Sequence, residues 1–194
     1  MEGVTKVKYE NYRQNRIHPQ KFGLWISFAS IMMMFGAFTS AYIVRRAAGN
    51  WLEFELPSIF FVSTAVLLLS SVFLHFSYLG FKKMNSTQHR SMLVLSFIFG
   101  VAFVALQYQG WMALFNMGIE LNGNPSGSFL YMISGVHVLH ILGGLATLIV
   151  AMIHAFSLPC TPTPKRLLRF DLVRHYWHFV DILWIYLLIF LLIQ

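Results

Sequence analysis

Arg174, His178 and Asp181 stand at offsets 0, 4 and 7 in a largely apolar stretch from Val173 to Leu192. In a helix that spacing puts all three on one face. An ionisable side chain at the centre of a bilayer costs about 2.5–3.5 kcal/mol on insertion scales, so the stripe must face protein rather than lipid. Upstream, His137 and His140 are three apart and also share a face, and His154 returns near that face 14 residues after His140. His75 and Gln107 also lie within apolar runs.

Three chemistries use such a set. His140 and His154 have the spacing of axial ligands to two stacked haems, with His75 as the second ligand of one haem and no matching histidine for the other. Intramembrane His and Asp also relay protons, which requires polar stations at most depths. The third is an interhelical polar network that fixes packing and register. Depth counted at about 1.5 Å per residue groups His75 with His178 in one layer and Gln107 with His137 in another. It also allows Asp181 to meet His140, directly or through water. Only seven acids occur, and Asp181 alone is embedded. Paired carboxylates, a phosphate-cradling glycine loop and a Ser-His-Asp set are not evident.

The elements that position these residues follow from composition. Of the 194 residues 57% are hydrophobic and 11% charged, against about a quarter charged in ordinary soluble domains. The expectation is an all-α, polytopic membrane protein, a five-transmembrane-helix bundle. Its spans are Phe22 to Val44, the stretches between Glu55 and Lys82 and between Arg90 and Glu120, roughly Phe129 to Phe156, and roughly Val173 to Leu192. Residues 1–21 form a polar N-terminal arm, without the pattern of a cleavable signal peptide, and 22–194 the membrane domain.

Lys6, Lys8, Arg13, Arg16 and Lys21 share one side with Lys82, Lys83, Arg90, Lys165, Arg166, Arg169 and Arg174. Those are 12 of the 14 basic residues, and only Arg45 and Arg46 lie opposite. The basic bias puts the N-terminus inside and the C-terminus outside. The net charge of +7 therefore sets topology and does not point to nucleic acid. Trp25 and Trp177 are expected at the inner interface, Tyr42, Trp51 and Trp111 at the outer one, and Trp184 as a packed core aromatic. Gly36 with Ser40, Ala37 with Ala41, and Gly135, Gly143, Gly144 and Ala146 read as close-packing faces. Cys160 is the one cysteine, which excludes an internal disulfide and a thiolate metal cluster within the chain.

The segment Tyr176-Trp177-His178-Phe179-Val180-Asp181, with Trp184 beyond it, resembles the final-helix signature of subunit III of haem-copper terminal oxidases. Gly135-Val136-His137-Val138-Leu139-His140-Ile141-Leu142-Gly143-Gly144 resembles that family's penultimate helix. Leu24-Trp25-Ile26-Ser27-Phe28-Ala29-Ser30, with Tyr42 and Arg45, resembles its first common helix. Length and span count are similar to the short five-helix bacterial form. Two departures occur: many members carry a glutamate where Ile31 and Gly110 stand here.

The resemblance implies an accessory, metal-free subunit of a proton-pumping cytochrome c oxidase in a bacterial inner membrane. Haem and copper then belong to partner subunits, with subunit I in direct contact and subunit II in the same complex. It implies bound phospholipid, which in a five-helix chain must sit against a partner subunit. Arg45, Arg46, Lys82, Lys83 and Arg174 are the candidate headgroup contacts. An accessory subunit of a quinol oxidase or nitric oxide reductase, and a small membrane b-type cytochrome, stay open as alternatives. Asp181 and His178 are expected to lock the last helix onto the one before it.

Overall fold

A computed structural model describes residues 18–193. Five helices follow one another: α1 (Pro19–Ala47), α2 (Ile59–Lys82), α3 (Ser86–Asn116), α4 (Pro125–Ser157) and α5 (Pro164–Ile193). No strand occurs among the described residues. The chain is an all-helical bundle, and each helix is long and apolar enough to cross a membrane. Even α2, with 24 residues, reaches about 36 Å, more than a hydrocarbon layer of about 30 Å. Apolar side chains lie inside the bundle and over its outer surface alike: Met33, Trp25, Leu139 and Ile182 are all exposed. A helix that is apolar all round has lipid, not water, as its solvent.

The helix ends are specified locally. Proline opens α1, α4 and α5, where its missing N–H would be unpaired anyway. Asn85 and Asn124 cap α3 and α4 by accepting from the Gln88 and Ser126 amides. Asn124 also ties the preceding loop: its side-chain oxygen accepts from the Leu52 amide at 3.3 Å, and its Nδ2 donates to the Asn50 carbonyl at 3.2 Å. α3 ends at Gly118 (φ 80°) with Gly118 and Ile119 donating back to Phe115 and Leu114, the paired closure that favours glycine. The same closure ends α2 with Met84 (φ 57°) in the left-handed position, so the α2–α3 connection is very short.

Two boundaries differ from those read off hydropathy. α5 begins at Pro164, well before Val173, because its first two turns carry Lys165, Arg166 and Arg169 and are helical without being apolar. α4 begins at Pro125, so Ser126, Gly127 and Ser128, ahead of the span expected from Phe129, belong to the helix. α1 likewise begins within the segment assigned to the arm; Lys6, Lys8, Arg13 and Arg16 lie outside the described residues.

α5 is the central helix, packing against α1, α2 and α4, and α1 is peripheral. α1 runs parallel to α5 and stays in register with it: Lys21 pairs with Asp171, Phe28 stacks on Phe179, Thr39 bonds Tyr186 and Tyr42 meets Phe190. Two aromatic residues expected at the membrane surface are instead core residues. Trp177 is fully buried and Tyr42 nearly so, because the neighbouring helices close over them. Trp25 remains exposed.

Candidate functional site

The polar interior begins with serines of α2. Ser63, Ser70 and Ser77 recur every seven residues, so they lie on one face. Each meets α3. Gln107 Nε2 donates to Ser63 Oγ at 3.0 Å, Ser70 Oγ donates to the Ser96 carbonyl at 2.7 Å, and Ser77 Oγ donates to the His89 carbonyl at 2.8 Å. His89 Nδ1 in turn donates to the Ser77 carbonyl at 3.1 Å. Small side chains let the two backbones approach, and each serine hydroxyl finds a polar partner on the facing helix.

The α5 stripe faces into this bundle at the end carrying the basic loops. Asp181 is buried, with the Ser71 hydroxyl as its polar neighbour. His178 Nδ1 and Ser71 Oγ share a short hydrogen bond. His75 lies beside them, its ring centroid 6.2 Å from that of His178, but it sits on the outer surface of the bundle. Arg174 donates to Asp171 at 2.7 Å and lies over the Tyr78 ring at 4.2 Å. Asp171 is the charge centre that hydropathy did not single out. It pairs with Lys21 at 3.4 Å and Arg174 at 2.7 Å, and lies 3.5 Å from His175 Nδ1. Its i,i+3 relation to Arg174 was the available signal.

The second group lies deeper. His137 is fully buried and boxed by rings: it stacks on Trp184 at 4.9 Å and meets the edges of Phe103 and Phe35 at 6.0 and 6.4 Å. Neither ring nitrogen has a hydrogen-bond partner among the described residues. Trp184 Nε1 donates to Thr64 Oγ1 at 2.9 Å. Gln107 meets Ser63 rather than His137. His140 turns back on its own helix, Nδ1 donating to the Val136 carbonyl at 2.8 Å, while the Tyr176 hydroxyl donates to the His140 carbonyl at 3.0 Å. α5 is thus tied to α4 beside His140 through Tyr176, with no Asp181–His140 bond.

The histidines weighed as haem ligands are distributed differently. His75 neighbours His178, whereas His154 lines a cleft with His89. Among the described residues no group of three or more His, Cys, Asp or Glu is placed to hold a metal ion.

Of the headgroup candidates, Arg45 donates to the Gly49 carbonyl at 3.0 Å, Arg46 pairs with Glu53 at 3.3 Å, and Arg174 is held by Asp171 and Tyr78. Lys82 and Lys83 are exposed. At the two departures from the oxidase pattern, Ile31 packs against the core, and a Cβ on Gly110 would stand 3.0 Å from the Phe60 ring. A glutamate at residue 110 would have to displace Phe60.

The family model described as cytochrome c oxidase subunit III matches residues 20–193. The chain is 31% identical over 181 residues to the probable cytochrome c oxidase subunit 3 of Nocardia farcinica (strain IFM 10152), covering 88% of this chain and 86% of that one. It is 30% identical over 187 residues to the probable cytochrome c oxidase subunit 3 of Mycobacterium tuberculosis (strain ATCC 25618 / H37Rv), covering 93% and 91%. To the cytochrome bo(3) ubiquinol oxidase subunit 3 of Buchnera aphidicola subsp. Schizaphis graminum (strain Sg) it is 28% identical over 181 residues, covering 91% and 92%.

Proposed function

The chain belongs to the cytochrome c oxidase subunit III family, and from that premise we propose that it is an accessory, non-catalytic subunit that holds the oxygen-reducing subunit of its complex in a stable membrane setting. As subunit III of a haem-copper oxidase it is one part of a respiratory complex in which haem and copper sit in partner subunits. The complex reduces oxygen to water and pumps protons across a bacterial inner membrane. The basic end faces the cytoplasm, subunit I is the direct neighbour, and membrane phospholipid fills the remaining contacts.

One observation favours support over chemistry in this chain: the embedded histidines are engaged in packing. Rings enclose His137, the backbone of α4 holds His140, and Ser71 holds His178. A relay through the bundle also lacks acids at Ile31 and Gly110, and the Phe60 ring crowds the second place.

Relatives named for both cytochrome c and ubiquinol oxidases leave two electron donors in play. The test is to tag this chain, extract it in mild detergent and assay what co-purifies. The expected result is a partner carrying haem and copper, with oxygen uptake driven by reduced cytochrome c. Uptake with quinol alone would assign the complex to the quinol class. Recovery of the chain with no haem-copper partner would overturn the proposal.

A further inference from the structure

A cup of about 370 Å³ opens at the end of the bundle away from the basic loops, where α3 runs into α4. That is within the range of ordinary small-molecule sites, about 300–1,000 Å³. Trp111 and Phe115, one helical turn apart on α3, form one wall with Met112, and Tyr131 of α4 supplies another. Glu120 and Asn122 line the cup from the connecting loop. No basic residue lines it, and Glu120 has no ion-pair partner among the described residues.

Local contacts hold the cup in shape. Trp111 Nε1 donates to Ser134 Oγ at 3.0 Å, which sets the indole. The Tyr131 hydroxyl donates to the Ile119 carbonyl at 2.9 Å and to that of Trp111 at 3.2 Å. Ser128 Oγ donates to the Leu121 carbonyl. Gly127 lets the loop lie on the first turn of α4: a Cβ there would stand 2.9 Å from Ile119 Cγ2 and 3.1 Å from the Glu120 carbonyl oxygen. Glu120 thus leaves a loop tied on both sides of it. Its side chain, Phe115 and Met112 are exposed.

The one charge in the cup repels anions. A hard metal ion needs about six oxygen ligands, and beyond the engaged Tyr131 hydroxyl only Glu120 and Asn122 offer side-chain oxygens here. A neutral apolar solute has no use for Glu120. A cation clothed in methyl groups uses every part. Its charge is drawn to the electron-rich faces of Trp, Tyr and Phe and to the carboxylate, and its methyls to the rings and the soft thioether of Met112. An interfacial aromatic belt accounts for Trp111 and Tyr131 but not for an acid without a cationic partner beside them. We infer that this cup binds a small quaternary ammonium ion of choline's chemistry, its methyls against Trp111, Phe115 and Tyr131 and its charge answered by Glu120. The site is independent of the supporting role proposed above.

The test is saturation-transfer NMR, reading transfer from the purified assembly that carries this chain, in dodecyl maltoside, to the methyl protons of choline. Transfer to choline is expected in the wild type. Glu120→Gln is expected to weaken binding about tenfold, through loss of the opposite charge. Phe115→Leu is expected to weaken it about fivefold, through loss of one ring face. Both positions are exposed, so neither change removes a core contact. Lys83→Gln, at the basic end, is expected to leave binding unchanged. The neutral isostere 3,3-dimethylbutanol, with carbon in place of the charged nitrogen, is expected to bind at least about tenfold more weakly. No transfer to choline in the wild type would overturn the inference. So would equal binding in wild type and both cup variants, or the neutral isostere binding as tightly as choline.

Discussion

Trp177 of α5 lies against Gly144 of α4 so closely that a Cβ on the glycine would stand 2.8 Å from Cζ3 of the indole. The other side of the ring meets α3, where a Cβ on Gly100 would be 3.0 Å from the indole. One fully buried tryptophan thus fills a slot cut by two glycines on two different helices. Dispersion contacts of this kind, not a hydrophobic driving force, hold helices together in lipid.

Gly144→Ala forces the indole to move and is expected to destabilise the bundle by about 1–3 kcal/mol, the usual cost of overpacking. Gly135→Ala on the same helix meets nothing within 4 Å and is expected to be neutral or slightly stabilising. Thermal unfolding midpoints of the two variants in one detergent give the comparison.

His89→Ala removes the imidazole that donates to the Ser77 carbonyl and packs between Phe81 and Phe170. A cavity and a lost bond at the α2–α3 turn are together expected to cost about 2–4 kcal/mol. Ser70→Ala, which removes the hydroxyl that meets the Ser96 carbonyl and hydroxyl, is expected to cost about 0.6–1.7 kcal/mol, the average to maximum for interhelical bonds in lipid. Comparable losses in the two variants, measured by the same unfolding assay, would contradict the reading of His89 as the anchor of that turn.

Asp171→Asn removes the charge shared by Lys21, Arg174 and His175. Lys21 and His175 are nearly half exposed, so the loss is expected to stay within about 1 kcal/mol. Its signature is salt dependence: wild-type stability falls as salt rises from low to moderate concentration, and the variant responds less. An identical salt response in both proteins would remove Asp171 as an electrostatic tie between α1 and α5.

His140→Ala and His154→Ala are expected to leave the haem content of the purified complex unchanged, because neither histidine is assigned to a cofactor. The separated chain is expected to show no Soret band. A band that follows the chain through purification, or haem lost in either variant, would restore the cytochrome alternative.

Much of this was legible in the residues. Five apolar runs gave five helices, since lipid-exposed backbone must satisfy its own bonds. The 0, 4, 7 spacing of Arg174, His178 and Asp181 gave the α5 stripe. What hydropathy missed has physical causes. Trp177 has the composition of an interface residue, and its burial depends on glycines 77 and 33 residues upstream, which only the tertiary fold brings together. Depth arithmetic paired Gln107 with His137, but depth ignores which way a side chain points around its helix, and Gln107 turns to Ser63. The heptad of Ser63, Ser70 and Ser77 was visible, yet serine spacing alone does not name partners on α3. Asp171 lies where α5 is helical but not apolar, so hydropathy does not mark it.

The assembly role is tested most directly at Asp181, a buried carboxyl beside Ser71, on a helix whose backbone packs against three others and whose tryptophans reach the fourth. Asp181→Asn keeps the shape and removes the ionisable group. The measurement is the yield of assembled oxidase per milligram of membrane, together with oxygen turnover per assembled complex. The expected result is a lower yield of complex with turnover per complex retained. Full assembly with turnover lost would mean that Asp181 serves the chemistry of the oxidase rather than the packing of this subunit.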